Sequence, residues 1–231
     1  MGFLQNIDLG TIAVQFAVLL FSLSIHEAAH AWMADRRGDY TARYMGRVTL
    51  NPLAHIDPVG TVLFPLIMLF TGIPLIGWAK PVPTNPLHLK DPARDQMGIS
   101  FAGPAANLVA GGGAFVLLLL AKHAVPGAWN HMLYWMAPRY FVGEPSVVTP
   151  VMGMLFYLMV INLMLAIFNL IPIPPLDGHW IVAGLLPPRA AESFRRFGTY
   201  GIFLLYALMV LGVLRVLTIP VWWLVAFLGV W

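Results

Sequence analysis

Cysteine is missing from this chain altogether, and only 10% of its 231 residues carry a charge. Without cysteine there can be neither a disulfide framework nor a thiolate metal site, so any metal must be held by histidine and carboxylate. The shortage of charge, set against 59% hydrophobic residues and a mean hydropathy of +0.78, excludes an ordinary soluble domain. It indicates an all-α polytopic membrane protein, with the lipid bilayer as its surroundings. The net charge of +3 is spread over short loops without a basic face, which excludes nucleic acid as a partner. Neither a repeat nor a low-complexity tail is visible. No Lys or Arg precedes the first apolar run. Because that run carries the chemical motif described below, it reads as a retained helix and not as a cleaved signal.

What the sequence does have is a series of apolar segments separated by polar, proline-rich loops. Helix one is expected from roughly Asp8 to Arg36, followed by an Arg-rich loop to Pro58. Val59 to Trp78 is apolar but broken by Pro65, Gly72 and Pro74. Further spans are expected over Gly98 to Ala121, Val147 to Leu170 and Gly198 to Leu217, with a short one from Ile219 to Trp231. Trp129, Tyr134, Trp135 and Tyr140 have the composition of an interfacial belt. The expected fold is about five to six transmembrane helices plus a re-entrant or interfacial apolar hairpin. It would form a single domain over 1–231, with a core at about 8–186 and C-terminal helices at 198–231.

The basic residues choose the topology. If every apolar segment crosses, Lys and Arg divide about evenly between the two faces. If Val59 to Trp78 instead enters and leaves on one side, Arg36, Arg37, Arg43, Arg47, Lys80, Lys90, Arg94, Arg189, Arg195 and Arg196 share a face. Only Lys122, Arg139 and Arg215 then lie opposite. The second arrangement obeys the positive-inside rule. It places the N-terminus outside and the 79–96 loop in the cytoplasm.

Near the end of helix one stands His26-Glu27-Ala28-Ala29-His30. Positions i and i+4 share a helix face, so the two histidines can reach one metal ion, and Glu27 can serve as general base on a water held there. Ionisable groups within a membrane span are costly and point to function. Along this helix His26 lies about 27 Å from Asp8, towards the cytoplasmic side. A catalytic zinc site needs a third protein ligand and one open position. Asp177 follows an apolar span and three prolines, on the same face as the histidine pair. From the residues alone, a metal ligand and the N-cap of a short following helix are equally good readings of Asp177. Gly103, Ala106, Asn107 and Gly111–Gly113 read as close-packing positions between membrane helices, with Asn107 as a helix-to-helix hydrogen bond. His55 and Asp57 read as turn residues before Pro58.

Five segments carry a resemblance. These are His26-Glu-Ala-Ala-His30, Gly46-Arg-Val-Thr-Leu-Asn51-Pro-Leu-Ala-His55-Ile-Asp57-Pro58, Gly77-Trp-Ala-Lys80-Pro-Val-Pro, Ala102-Gly-Pro-Ala-Ala-Asn107 and Asn169-Leu-Ile-Pro-Ile-Pro-Pro-Leu-Asp177-Gly178. In this order, over about residues 20–186, the chain resembles the site-2 protease family of intramembrane zinc metalloproteases, as a small prokaryotic member without a PDZ or CBS segment. The resemblance implies one Zn²⁺ per chain held by His26, His30 and Asp177, with Glu27 as the catalytic base. It implies that Asn169 binds substrate backbone or the oxyanion. It also implies a substrate protein's transmembrane helix as partner and a prokaryotic cell (inner) membrane as location, with the active site towards the cytoplasm. The substrate would have to unwind locally, and the Pro172–Pro175 segment is expected to offer it free carbonyls. His179 departs from the pattern, where many relatives carry a second small residue. The competing function is a membrane metal-binding or transport protein using the same His/His/Asp set. Such a protein has no need of Glu27, and a transporter usually shows two repeated halves.

Overall fold

The computed structural model describes residues 9–71 and 77–230, and among these every regular element is helical. In chain order the helices are α1 (Leu9–Arg36), α2 (Thr41–Tyr44), α3 (Phe64–Thr71), α4 (Pro92–Ala124), α5 (Ala128–Met136), α6 (Val148–Asn169), α7 (Asp177–Leu185), α8 (Pro188–Phe197), α9 (Gly201–Val210) and α10 (Ile219–Val230). Among the described residues, three stretches are long and apolar enough to cross a membrane: Gly10–Arg36, Pro92–Ala124 and Val148–Asn169. The sequence-based number of five to six included the C-terminal segments. Here those segments form two stretches, Pro188–Val210 and Val213–Gly229, that meet at 78° and bring the total to four if they count as one broken span.

α4 lies at the centre, against α1, α6 and α7. Its small residues make this possible. A Cβ on Gly111 would sit 2.8 Å from the Leu163 side chain of α6, so only glycine permits that approach. In lipid, helices associate through close packing and interhelical hydrogen bonds, and small residues at the crossing favour both. α1 and α4 run antiparallel, with Ser22 and His26 level with Asn107, and His30 level with Ile99. Beyond the polar layer, Val18, Leu118, Met132, Phe156, Met159, Val225 and Leu228 form one apolar cluster joining α1, α4, α5, α6 and α10.

The segment expected to be a re-entrant hairpin leaves and returns at one place. Asp57 caps a short π-helix, Pro58–Leu63, by accepting from the Val59 and Gly60 amides, and this helix runs into α3. The Trp78 amide donates to the Gly60 carbonyl at 3.3 Å, and Thr61 Oγ1 donates to the Trp78 carbonyl at 2.8 Å. Ends joined by hydrogen bonds cannot lie on opposite sides of a hydrocarbon layer about 30 Å thick. The far end of the hairpin, 72–76, lies outside the described residues.

A buried carboxylate holds the polar loops together. Asp39 is fully buried and accepts from the Thr41 amide and hydroxyl, the Asn85 amide at 2.6 Å and His88 Nδ1 at 3.0 Å. Burial alone would raise its carboxyl, but hydrogen bonds from Thr41, Asn85 and His88 outweigh it and hold the group below the usual aspartate range. A carboxyl lowered on folding stabilises the fold above its unfolded pKa, about 3.9, and loses that contribution as pH falls through the folded value. Hydrogen-exchange protection at the Asn85 amide is therefore expected to be flat above about pH 5 and to decline below about pH 4. Protection that did not change on acidification would show that Asp39 does not hold this junction.

Candidate metal centre

Three side chains from two distant parts of the chain converge beneath α4. His26 and His30 project from one face of α1, their ring centroids 4.5 Å apart. Asp177 is the first residue of α7, and its position follows from the chain on either side. The preceding prolines forbid a continued helix. Gly178 allows the start of α7 to press against the Leu170 and Ile171 carbonyls at the end of α6. The N-cap position belongs to Leu176, and no side chain caps the helix there. The Asp177 carboxylate instead turns to the histidines, with Oδ2 3.0 Å from His26 Nε2 and 3.3 Å from His30 Nε2.

The outer ring nitrogens of both histidines have acceptors. His26 Nδ1 donates to Asn107 Oδ1 at 2.6 Å, and His30 Nδ1 donates to the Ile99 carbonyl at 2.7 Å. Asn107 has its oxygen towards His26 because its amide nitrogen is already committed to the Ser22 carbonyl and to Asn162 Oδ1. With Nδ1 so engaged, both rings turn Nε2 inward, and the two Nε2 atoms lie 3.0 Å apart. Two imidazole nitrogens and a carboxylate oxygen converging in a largely buried site form a donor set for a cation. The three ligand atoms lie within 4.8 Å of one another. Ligands at about 2.0–2.2 Å around a tetrahedral Zn²⁺ would be spaced by roughly 3.3 Å, so this donor set fits the ion.

A cavity of about 990 Å³ opens onto the cluster, and Glu27 and Asn169 also line it. The Glu27 carboxylate makes no hydrogen bond with the described residues. Asn169, expected to meet substrate, donates its amide back to the Leu165 carbonyl of its own helix at 2.9 Å. The opposite wall is the extended stretch 77–82. Trp78 and Lys80 pair their backbone groups with Gly60, Thr61, His55 and Arg47. Ala79, between them, keeps its N–H and C=O unpaired among the described residues and faces the cavity. The carbonyl expected to be free at Pro174 is packed against Gly201 of α9.

Two contacts were not expected from the sequence. Asn107 touches His26 of the cluster itself and not merely another helix. Asn162, fully buried in α6, donates to Ser22 Oγ at 2.8 Å and so completes a chain of polar groups behind His26. Its signal was a lone amide in the middle of a 22-residue apolar helix. Gly103 packs directly on the site, where a Cβ would lie 2.6 Å from His30 Cε1 and 2.7 Å from His26 Cε1. His55 and Asp57 do not join the cluster. His55 accepts from Arg47 and donates to the Thr49 carbonyl, while Asp57 caps the π-helix.

Comparisons with known proteins supply a family. The family model described as peptidase family M50 matches residues 14–212. YwhC of Bacillus subtilis (strain 168), named as a zinc metalloprotease, is 35% identical over 193 residues, 83% of this chain and 78% of its own. Two proteins named as zinc metalloprotease Rip2 also match. That of Mycolicibacterium smegmatis is 32% identical over 96% of this chain and 76% of its own. That of Mycobacterium tuberculosis (strain H37Rv) is 30% identical over 87% of this chain and 67% of its own. No solved structure matches the chain significantly.

Proposed function

Because the chain belongs to peptidase family M50 and is a zinc metalloprotease of the site-2 protease kind, we propose that it is an intramembrane endopeptidase. It cuts membrane-protein substrates within or beside a transmembrane segment. The observation that carries this reading is the place of the metal cluster: His26 and His30 lie on a helix apolar enough to cross a bilayer, about 15 Å and about 9 Å from its Arg36 end.

His26, His30 and Asp177 would hold the zinc, which when bound polarises the scissile carbonyl and lowers the pKa of a water to about 7. Glu27 takes the proton of the attacking water and passes it to the leaving amine. Asn107 and the Ile99 carbonyl keep both imidazoles in the tautomer that leaves Nε2 free. A helical substrate hides its carbonyls in its own hydrogen bonds and must unwind before attack. The free Ala79 backbone offers the unwound stretch a pairing edge. Asn169 can reach the substrate only by exchanging its bond to Leu165. The metal-transport alternative leaves Glu27 without a task.

With the purified protein and a reporter transmembrane substrate, the expected product is a single cut inside the apolar span. Mass spectrometry locates the cut, a chelator abolishes it and added Zn²⁺ restores it. Zinc carried across vesicles with no peptide bond broken would favour transport. In cells, a reporter fused within 79–96 is expected to read cytoplasmic, which would put the metal cavity towards that side. An external signal would overturn that orientation.

A further inference from the structure

α8 carries Arg189, Arg195 and Arg196, and helical spacing gives them different surroundings. Ala191 is buried, and Phe194 stacks on His179 with centroids 4.7 Å apart, so these two mark the inward face. Arg195 stands four residues after Ala191 and shares that face. Its side chain is 43% exposed, against 79% for Arg196. Arg195 is also the one Lys or Arg among the described residues that line the metal cavity.

Its guanidinium makes one long ion pair, with Glu192, and no hydrogen bond to a described residue. Glu192 Oε2 lies 3.7 Å from Nη2, beyond hydrogen-bond distance, and the other Glu192 oxygen is taken by Arg196 Nε at 3.1 Å. No other described residue accepts a hydrogen bond from Arg195. The charged groups it shares the cavity with are acids: Glu27 and Asp177 at the metal cluster, and Asp91, which pairs with Arg94. The remaining walls are largely apolar, including Trp78, Phe168, Trp180 and Ile202. An arginine fork with unused donors, facing the space where the peptide must lie, suits a carboxylate in bidentate geometry.

We propose that Arg195 is a specificity-determining residue that binds a carboxylate of the chain lying in the metal cavity. This rests on the protease reading above. The carboxylate comes either from an Asp or Glu side chain of the substrate or from the C-terminus released by hydrolysis of the upstream fragment. Position along α8 matters: Arg189 and Arg196 do not line the cavity and do not share this role.

The test uses the full-length protein in detergent or bilayer and a reporter transmembrane substrate. Glu is placed in turn at each position of its cytoplasmic flank and compared with Gln at the same position. Cleavage of the unmodified reporter is measured first; if it is absent, the protease reading itself fails. With cleavage present, one position is expected to favour Glu by about fivefold in kcat/KM, mainly through KM. That ratio is expected to fall to about one in Arg195→Gln, to survive in part in Arg195→Lys, and to invert in Arg195→Glu when the substrate carries Lys. Zinc content is measured for each variant to confirm an intact site. In a second arm, the upstream product peptide is added with a free C-terminus or as its amide. Stronger inhibition by the free acid, lost in Arg195→Gln, assigns the carboxylate to the product; a Glu preference without it assigns the carboxylate to the substrate side chain. A wild-type protein with neither a Glu preference at any position nor a difference between acid and amide overturns the proposal. So does a preference that persists undiminished in Arg195→Gln.

Discussion

Glu27→Gln is expected to retain its full zinc content and to lose cleavage by about 1,000-fold, the scale of a general base removed from its reaction. The two effects separate because Glu27 and the ligands do different work. The three converging atoms belong to His26, His30 and Asp177, so exchanging a carboxylate for an amide of the same shape leaves the cluster complete. The amide cannot accept the proton of the attacking water, nor return one to the amine. Both measurements are needed on the same preparation. Unchanged cleavage would falsify the role of Glu27, and lost zinc would make Glu27 part of the binding site.

Gly103→Val is expected to abolish stoichiometric zinc binding without altering any ligand. A first methyl at this position already meets both imidazole rings, at 2.6 and 2.7 Å, and valine adds two further carbons. α4 cannot retreat, because Gly111 fixes it against Leu163 and Asn107 ties it to α1 and α6. The rings must turn instead, which takes Nε2 away from Asp177. Asn107→Leu makes a milder comparison. It removes the partner of His26 Nδ1, and loss of such a support costs about 10–100-fold in metal affinity. Competition with a chromophoric chelator measures both variants. Normal zinc affinity in Gly103→Val would mean that the helices separate more easily than their packing implies.

These positions differ in how far the sequence discloses them. The His26–Glu27–His30 spacing is local, so a helical period is enough to bring the histidines together. Asp177 is separated from His26 by 151 positions; the loop charges put it on the correct face but left its metal role level with an N-cap. Asn107 was legible as a polar group between helices. That its partner is His26 depends on the antiparallel register of α1 and α4, which no local pattern specifies. Asn162 was passed over because one amide hardly changes the hydropathy of a 22-residue helix. The hairpin was readable from Pro65, Gly72, Pro74 and the charge count. The clasp between Gly60 and Trp78 was not, since it arises from contact between two loops.

The polar chain behind His26 also orders the assembly of the protein. Ser22 and Asn162 each donate to a carbonyl of their own helix, Val18 and Leu158, but the bonds that join Ser22, Asn107 and Asn162 form only when three membrane helices have met. An α1 alone in lipid would hold two imidazoles with no acceptors for their Nδ1 protons and no third ligand. The complete His26, His30 and Asp177 donor set therefore exists only after α1 and α7 have come together, and zinc bound to it would follow that assembly. Once bound, it favours the assembled state over the separated helices by mass action. An ion held there would thus also act as a late rivet, because a chain with misassociated helices lacks the complete donor set.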